Sequence, residues 1–278
     1  MAEQKNHNRQ RLTIRVGRGT LSFSAQKGDD QEVIYEPYVV KSGVSMAANL
    51  REALKTAELL QMLAAEKEVQ AWPPIRTTVT IDADVMMVPI EQFDEGDMTA
   101  TYSYAFPSGS NDAIGYDVLP DLNAVAVFAV NRDLRLVLND HFPGVKIIPL
   151  MSPVWRHLHQ RSFTGKRQKL YVYFHERRME VFAFRQNRFK FCNSFEAVRQ
   201  KDALFFLLYA WKQLQLEPEH DELHLVGDIP EEQDMLADLR NYLQKVYPMN
   251  VAVDFNNHPV TALKDMPYDL MTLYARGR

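Results

Sequence analysis

The residues that could bind a phosphate group or a metal ion are scattered along the chain, and most lack the spacing that such chemistry needs. Gly165-Lys166 is similar to the end of a phosphate-binding loop, but Arg167 stands where a magnesium-binding Ser or Thr is required. His175-Glu176 is similar to the start of a zinc-protease helix, but no second His follows at the required spacing. Neither pattern therefore predicts a catalytic site.

The other histidines and the one cysteine also fail to predict a metal site. His220 and His224 would suit one ion on a helix, but His224 is predicted in a strand, where four residues span about 13 Å. His157 and His159 could chelate an ion only from a strand, and they are predicted on a helix. A single cysteine, Cys192, excludes a multi-cysteine metal cage, and we expect it to be a small buried strand residue. We therefore expect no metal.

The first part of the chain is predicted to contain a three-stranded meander followed by alternating helices and strands. Alternation of polar and apolar residues indicates the meander strands 12–16, 21–24 and 33–40. Apolar residues on one stripe predict a helix over 47–65 with Ser45 as its cap. Further elements are a strand over 75–82, a short helix from Pro89, a strand over 124–130, a helix capped by Asn131, a strand over 145–148 and a helix from Ser152. The continuous apolar run 124–130 is typical of a sheet with helices on both faces.

The pattern then begins again, which predicts two similarly ordered halves of an α/β fold with mixed sheets. Strands are expected over 170–175, 181–185, 188–195, 222–226 and 251–255, and helices over 198–216 and from Pro230. The middle of the first of these helices is apolar on all sides, so we expect it to be buried between layers. We predict a disordered N-terminus over 1–11, a first half over 12–165 and a second half over 166–278.

Composition narrows the class of protein. The chain has 278 residues, of which 46% are apolar, and this excludes a largely disordered protein. The longest apolar run, 204–211, is far shorter than the roughly 20 residues of a membrane span. The N-terminus is polar, and we therefore predict no signal peptide, no membrane span and a cytoplasmic location.

The net charge of −4 conceals an uneven distribution. Residues 155–201 carry a net +9, whereas 1–154 carry −6 and 202–278 carry −7. This basic segment could bind nucleic acid or a phosphorylated ligand. Alternatively its cations pair with the acidic flanks, while its alternating aromatic residues point inward. We favour pairing, and nucleic acid stays an alternative partner.

Three stretches, 189–195, 201–211 and 223–229, resemble a known family. Their most specific segments are Asn193-Ser194-Phe195, Asp202-Ala203-Leu204 and the Leu-x-Gly-Asp pattern at 225–228. The chain is similar here to a bacterial family catalogued as domain of unknown function 3822. The resemblance implies the α/β actin-like ATPase fold, in which two ribonuclease-H-like halves with mixed five-stranded sheets and flanking helices enclose a cleft.

The resemblance also implies where a nucleotide would bind. Actin-like ATPases hold it with a glycine-rich hairpin carrying an Asp in each half and a glycine pair near the adenosine. Here the first hairpin keeps glycines without Asp, the second has neither, and the adenosine position has one glycine. The implied cleft residues are Gly17, Arg18, Gly19, Arg177, Arg178, Gly227 and Asp228.

These departures lead us to expect no ATP hydrolysis and no resident cofactor. The leading hypothesis is a non-catalytic scaffold or partner-binding module with an unidentified protein partner. A second hypothesis is a nucleotide-binding protein or weak ATPase that places Arg18, Arg177 and Arg178 on the phosphates of ATP. A third is nucleic-acid binding through 155–201. The sequence leaves the oligomeric state open.

Overall fold

The chain forms two five-stranded sheets, one three-stranded sheet and the helices that pack on them. The computed structural model describes residues 11–26, 32–65, 76–106, 112–163, 167–185 and 188–275. The predicted disordered N-terminus lies outside these residues except for Arg11, which is the first residue of strand β1. The predicted boundary at 165 also lies outside them, so the division into halves stays a prediction.

The first five-stranded sheet confirms the predicted meander. Its strands follow the order β3-β2-β1-β4-β8, in which the first three are antiparallel and the last two parallel to β1. The strands are β1 (Arg11–Val16), β2 (Leu21–Gln26), β3 (Val33–Tyr38), β4 (Arg76–Ile81) and β8 (Lys146–Pro149). The sheet is therefore mixed, as predicted.

The second five-stranded sheet has the same arrangement. Its order is β11-β10-β9-β12-β13, again with an antiparallel meander followed by two parallel strands. The strands are β9 (Lys169–His175), β10 (Arg178–Arg185), β11 (Arg188–Glu196), β12 (Glu222–Gly227) and β13 (Val246–Pro248). The predicted pair of mixed five-stranded sheets is thus confirmed.

A three-stranded antiparallel sheet interrupts the symmetry, and the sequence did not predict it. It consists of β5 (Val85–Pro89), β7 (Ala124–Asn131) and β6 (Asp112–Leu119), in that spatial order. The apolar run predicted to lie within a helix-covered sheet is β7, the central strand. One face of β7 packs on Tyr102 of helix α3 (Met98–Ala105) and the other on the main core, so both faces are covered.

The helices begin mostly where capping residues predict. Ser45 accepts a hydrogen bond from Ala48 N, and Asn131 accepts from Asp133 N and Leu134 N. The helices besides α3 are α1 (Met46–Thr56), α2 (Glu58–Ala65), α4 (Arg132–His141), α5 (Ser152–Ser162), α6 (Gln200–Gln213), α7 (Glu232–Tyr242), α8 (Val251–Asp254) and α9 (Tyr268–Tyr274). Among the described residues, none of these is both long and apolar enough to cross a bilayer.

The prediction of one helix over 47–65 was wrong. The backbone is extended at Ala57, which ends the first helix, and a second helix starts at Glu58. The cause is Glu36 of β3, whose carboxylate accepts hydrogen bonds from Glu58 N at 3.1 Å and Leu59 N at 2.7 Å. This carboxylate caps the new helix from a neighbouring strand, and such a cap leaves no local pattern in the helix itself.

Two other predictions were also wrong. Residues 251–255 form helix α8 and not a strand, because Asn250 accepts a hydrogen bond from Val253 N and starts a helical turn. Helix α6 is not buried on all sides. Its Ala203 and Leu207 are buried, but Phe205 is 64% exposed and Tyr209 is 53% exposed.

Helices α5 and α9 pack against each other and join the sheets through one core. That core contains Trp155 of α5, Tyr268 of α9 and Tyr171 of β9. The hydroxyl of Tyr274, at the end of α9, also lies 3.0 Å from Thr13 Oγ1 and 2.8 Å from Ser24 Oγ in the first sheet. The shared core therefore holds the ends of β1, β4, β9 and β12 around one cleft.

We predict a pH-dependent loss of stability from His224 in β12. Burial lowers the pKa of His224 from its usual value of 6.5, although its 3.0 Å contact with Glu222 opposes this. Below about pH 6.5 the unfolded chain takes up a proton that the folded protein resists, so stability falls as the pH falls. Urea unfolding at about pH 7.5 and 5.5 measures how far the free energy of unfolding falls between these two pH values. This fall should be smaller for His224→Gln than for the unmodified protein.

The control for this experiment is His220→Gln, because His220 is 67% exposed. Its pH dependence should match that of the unmodified protein. An equal loss of stability in the His224→Gln variant and the unmodified protein would contradict the prediction.

Candidate functional site

A cavity of about 510 Å³ opens between the two five-stranded sheets. Its walls come from the first hairpin, the ends of β9 and β12, and the start of α9. Of the residues implied by the family resemblance, Gly227 and Asp228 line this cavity. Gly17, Arg18 and Gly19 lie in the turn between β1 and β2, Arg177 lies in the turn between β9 and β10, and Arg178 begins β10.

The second hairpin turn places the carboxylate of Glu176 directly on the first hairpin turn. This carboxylate accepts hydrogen bonds from Thr20 Oγ1 at 2.6 Å, Arg15 Nη1 at 2.8 Å and Gly19 N at 3.2 Å. A Cβ atom on Gly17 would lie 2.0 Å from Glu176 Oε1, so the carboxylate fills the space that the glycine leaves. Burial raises the pKa of Glu176, but Arg15 and these hydrogen bonds outweigh it and lower the pKa overall. The carboxylate is therefore ionised at neutral pH.

Arg15 also forms a buried ion pair with Asp269, which connects β1 to α9. Arg15 Nε and Nη2 donate to the two Asp269 carboxylate oxygens at 2.8 and 3.0 Å, and the side chains are 4% and 1% exposed. Tyr173 of β9 donates its hydroxyl to the same carboxylate at 2.7 Å. Burial and Asp269 raise the pKa of Tyr173 well above its usual value. Burial lowers the pKa of Arg15, but Asp269 outweighs it and raises the pKa overall, so Arg15 stays charged at neutral pH. We call this ion pair, with Glu176 and Tyr173, the Arg15 clasp.

A second polar cluster lies at the base of the cleft, where β4 ends. Asp82 Oδ2 is 4.0 Å from His175 Nδ1, and His175 Nε2 is 3.6 Å from Glu180 Oε1. Burial raises the pKa of Asp82, although His175 and Arg18 oppose it. Burial lowers the pKa of His175, but Glu180 and Asp82 outweigh it and the net shift is upward. One ligand atom each from Asp82, His175 and Glu176 lie within 4.8 Å of one another, so these residues could hold a metal ion.

Two of the three arginines expected to contact phosphates, Arg18 and Arg178, instead contact carboxylates. Arg18 Nη2 donates to Asp84 at 2.7 Å, and its Nε lies 3.5 Å from Asp82. Arg178 donates to Ser194 Oγ at 2.6 Å and lies 3.4 Å from the same Asp84. Arg18 and Arg178 therefore meet on one carboxylate between the sheets.

Arg177 and Glu176 form the tip of the second hairpin. Both have positive φ, 63° and 45°, which is the left-handed conformation of a tight two-residue hairpin turn. Arg177 is exposed, whereas this turn directs Glu176 toward the first hairpin. The hairpin thus presents its acidic residue, and not its basic one, to Gly19.

Comparison with known proteins identifies the family and the fold. The family described as protein of unknown function, DUF3822, matches residues 2–246. The chain belongs to this family. No curated protein matches the chain by sequence.

Solved structures show which fold the chain adopts. A protein of Bacteroides thetaiotaomicron with an actin-like ATPase fold and unknown function is 22% identical and matches with a TM-score of 0.81 over 100% of both chains. PilM of the PilM-PilN type IV pilus biogenesis complex is 12% identical, with a TM-score of 0.51 over 87% of this chain and 89% of that chain. EutJ of Carboxydothermus hydrogenoformans gives 8% identity and a TM-score of 0.47 over 96% and 90%. The predicted actin-like ATPase fold is confirmed.

Five of the twelve cations in the basic segment 155–201 of this DUF3822 protein form described ion pairs with acidic residues. Its aromatic side chains Tyr171, Tyr173, Phe182 and Phe184 are buried, which confirms that they point inward. Its described ion pairs are Arg156 with Asp121, Arg161 with Asp254, Arg167 with Glu222, Arg178 with Asp84 and Arg188 with Glu91. These contacts favour internal charge pairing over a nucleic-acid surface.

The sequence did not identify the residues that dominate this site. Arg15 follows the alternation of a half-buried strand, and its partner Asp269 is 254 residues away. His175-Glu176 was considered only as an incomplete zinc motif, because Asp82 comes from a distant strand of the other sheet. The one available signal was a His-Glu pair at the end of an otherwise apolar strand.

Cys192, expected to be buried, is partly buried in β11, and burial raises its pKa well above the usual value.

We predict that Asp269→Ala destabilises the protein strongly. Removing one partner of a buried ion pair leaves an uncompensated charge, which costs about 3–5 kcal/mol. The free energy of unfolding from urea titration measures this loss. Asp228→Ala is the matched control, because Asp228 is exposed, and its effect should stay within about 0.5 kcal/mol. A loss below about 1 kcal/mol for Asp269→Ala would contradict the role of the Arg15 clasp.

We also predict that Gly227 cannot be replaced. Its φ is +94°, and a Cβ atom there would lie 2.0 Å from the carbonyl oxygen of Phe174. Gly227→Ala should therefore lower the free energy of unfolding by more than about 1 kcal/mol. Gly19→Ala is the control, because a Cβ atom at Gly19 meets nothing within 4 Å. Equal stability of the two variants would contradict this prediction.

Proposed function

We propose that this DUF3822 protein is a non-catalytic actin-like protein that binds a protein partner, and that Glu176 occupies the phosphate position of its nucleotide cleft. The observation that carries the proposal is the contact of the Glu176 carboxylate with Gly19 N, Thr20 Oγ1 and Arg15 Nη1. A backbone N–H, a hydroxyl and a guanidinium are the donors that a nucleotide phosphate would need. In this chain the Glu176 carboxylate, and not a phosphate, accepts from these donors.

An ionised Glu176 opposes phosphate binding in two ways. Its negative charge would repel a phosphate group at the first hairpin, and its carboxylate already fills the space next to Gly17. Displacing it would remove a partner from Arg15, which is only 4% exposed. Replacement of Glu176 by a phosphate therefore carries a substantial electrostatic cost.

The remaining cations of the cleft support the same conclusion. Arg18 and Arg178 are engaged with Asp84, so neither offers an uncompensated charge to a phosphate. Both hairpins also lack the aspartate that the resemblance implies for an active ATPase. These features favour a non-enzymatic role over the alternative of a weak ATPase.

Partner binding and a cytoplasmic location are further parts of the proposal. PilM, whose fold is similar, is known from a complex with PilN, so the fold is compatible with partner binding. Exposed aromatic residues such as Phe205 and Tyr209 on α6 are of the type enriched in protein interfaces. A single cysteine is compatible with a reducing compartment.

We predict that the unmodified protein binds neither ATP nor ADP, and that Glu176→Asn creates an anion site. Asn tolerates the positive φ of residue 176 and removes the negative charge, which leaves Gly19 N, Thr20 and Arg15 for an external anion. Isothermal titration calorimetry with Mg-ATP, ADP and inorganic phosphate should give no heat with the unmodified protein. The variant should give saturable heat with at least one of these anions.

Glu231→Asn is the matched control, because residue 231 is also a Glu with positive φ, 46°, but is exposed. It should behave like the unmodified protein in every titration. ATP binding or magnesium-dependent turnover by the unmodified protein would contradict the proposed function. Failure of Glu176→Asn to bind any of the three anions would contradict the role given to the carboxylate.

A further inference from the structure

We propose that Asp82, His175 and Glu176 form a binding site for one divalent transition-metal ion at the base of the cleft. Asp82 follows β4 of the first five-stranded sheet, whereas His175 ends β9 of the second and Glu176 follows it in the turn. An ion held by all three would therefore bridge the two sheets. This site goes beyond the proposed function, because it requires neither a nucleotide nor a protein partner.

The buried imidazole of His175 is the first argument. His175 is only 3% exposed, and among the described residues neither ring nitrogen has a hydrogen-bond partner. Asp82 Oδ2, which faces Nδ1, also has no hydrogen-bond partner there. A buried polar group without a partner costs about 1–3 kcal/mol, so two such groups facing each other point to a bound ion.

The spacing of the ligand atoms is the second argument. The ligand atoms of the three residues lie within 4.8 Å of one another, and His175 Nδ1 is 4.0 Å from Asp82 Oδ2. Ligands about 2.1 Å from a tetrahedral zinc ion are roughly 3.4 Å apart. Small side-chain rotations would therefore bring the three atoms onto one ion, with a fourth position left for water.

The surroundings of His175 are the third argument. Glu180 Oε1 lies 3.6 Å from Nε2, on the side of the ring opposite Asp82. Glu180 is itself held by Ser194 Oγ, which donates to it at 2.6 Å, and Ser194 is held in turn by Arg178. Metal-binding histidines commonly direct their second nitrogen toward a carboxylate, which fixes the ring and its tautomer. Here Nδ1 would be the ligand and Nε2–H would face Glu180.

The charge of the region is the fourth argument. The contacts described above bring together more carboxylates than guanidinium groups, with an excess of two negative charges when His175 is neutral. The carboxylates are Asp82, Asp84, Glu176, Glu180 and Asp269, and the guanidinium groups are Arg15, Arg18 and Arg178. A divalent cation would balance this excess. One imidazole and two carboxylates suit zinc and similar transition metals better than magnesium, which prefers oxygen ligands and retains several waters.

The test uses the full chain, stripped of metal with EDTA and titrated with Zn²⁺, Co²⁺ and Mg²⁺. We expect one equivalent of Zn²⁺ to bind in calorimetry, and Co²⁺ to produce visible absorption bands of a four- or five-coordinate site. His175→Gln and Asp82→Asn should each weaken Zn²⁺ binding at least tenfold and abolish the Co²⁺ bands. His220→Gln is the control and should bind as the unmodified protein does.

Asp82→Asn is nearly isosteric, so it keeps the test decisive if His175→Gln fails to fold. Absence of Zn²⁺ binding at about 1 mM in the unmodified protein would overturn the proposal, as would equal affinity in the Asp82→Asn variant. Tighter binding of Mg²⁺ than of Zn²⁺ would overturn the assignment to a transition metal. These outcomes leave the proposed function intact, whereas Zn²⁺ binding that occurs only with ATP present would contradict both.

Discussion

The arrangement of the cleft depends on one buried cation, the guanidinium of Arg15. It donates to Asp269 in α9, to Thr20 Oγ1 and to Glu176 in the β9–β10 turn, and the Tyr173 hydroxyl donates to the same Asp269 carboxylate. A charge removed from water is tolerated only when such partners surround it. The two hairpins must therefore stay close enough for Glu176 to reach Arg15, and this closeness also brings Glu176 onto Gly19. The same interaction that joins the two sheets thus fills the anion-binding turn.

The matching strand order of the sheets explains why so many polar groups meet at this place. In each sheet the meander is followed by parallel strands, so the ends of β4, β9 and β12 open toward the space between the sheets. Ligands of open α/β sheets commonly bind at the carboxyl ends of strands. In this protein those positions carry Asp82, His175 and Gly227. The strand ends lie where the resemblance implies a cleft, while the side chains present there differ from those that the resemblance implies.

Much of the fold could be predicted from local patterns, because alternation and capping act over a few residues. The strands on either side of Gly17-Arg18-Gly19 and the caps at Ser45 and Asn131 are of this kind. The errors came where distant groups decide the structure. Glu36 lies in a neighbouring strand and splits the predicted helix 47–65 into two helices. The apolar run in β7 does not reveal which sheet that strand joins. A short apolar run such as 251–255 fits a strand or a helix equally well until Asn250 is seen to cap it.

The candidate site was predictable in position and not in composition. The hairpins and Gly227 were located from the sequence, yet each key contact joins residues that are far apart along the chain. Glu176 reaches Thr20 across 156 positions, and Arg15 reaches Asp269 across 254. No spacing rule within one segment can find such pairs, because the fold alone brings them together.

The position of α9 has a consequence for the order in which the protein is made. This helix is formed by residues 268–274, yet Asp269 neutralises Arg15 in β1 and Tyr274 contacts Thr13 and Ser24. During synthesis, β1 leaves the ribosome long before the helix that completes its surroundings. Until then, Arg15 has no Asp269 beside it, and the face of the first sheet that carries Thr13 and Ser24 is uncovered. Strand β1 must therefore wait, exposed to chaperones and proteases, until α9 has been made.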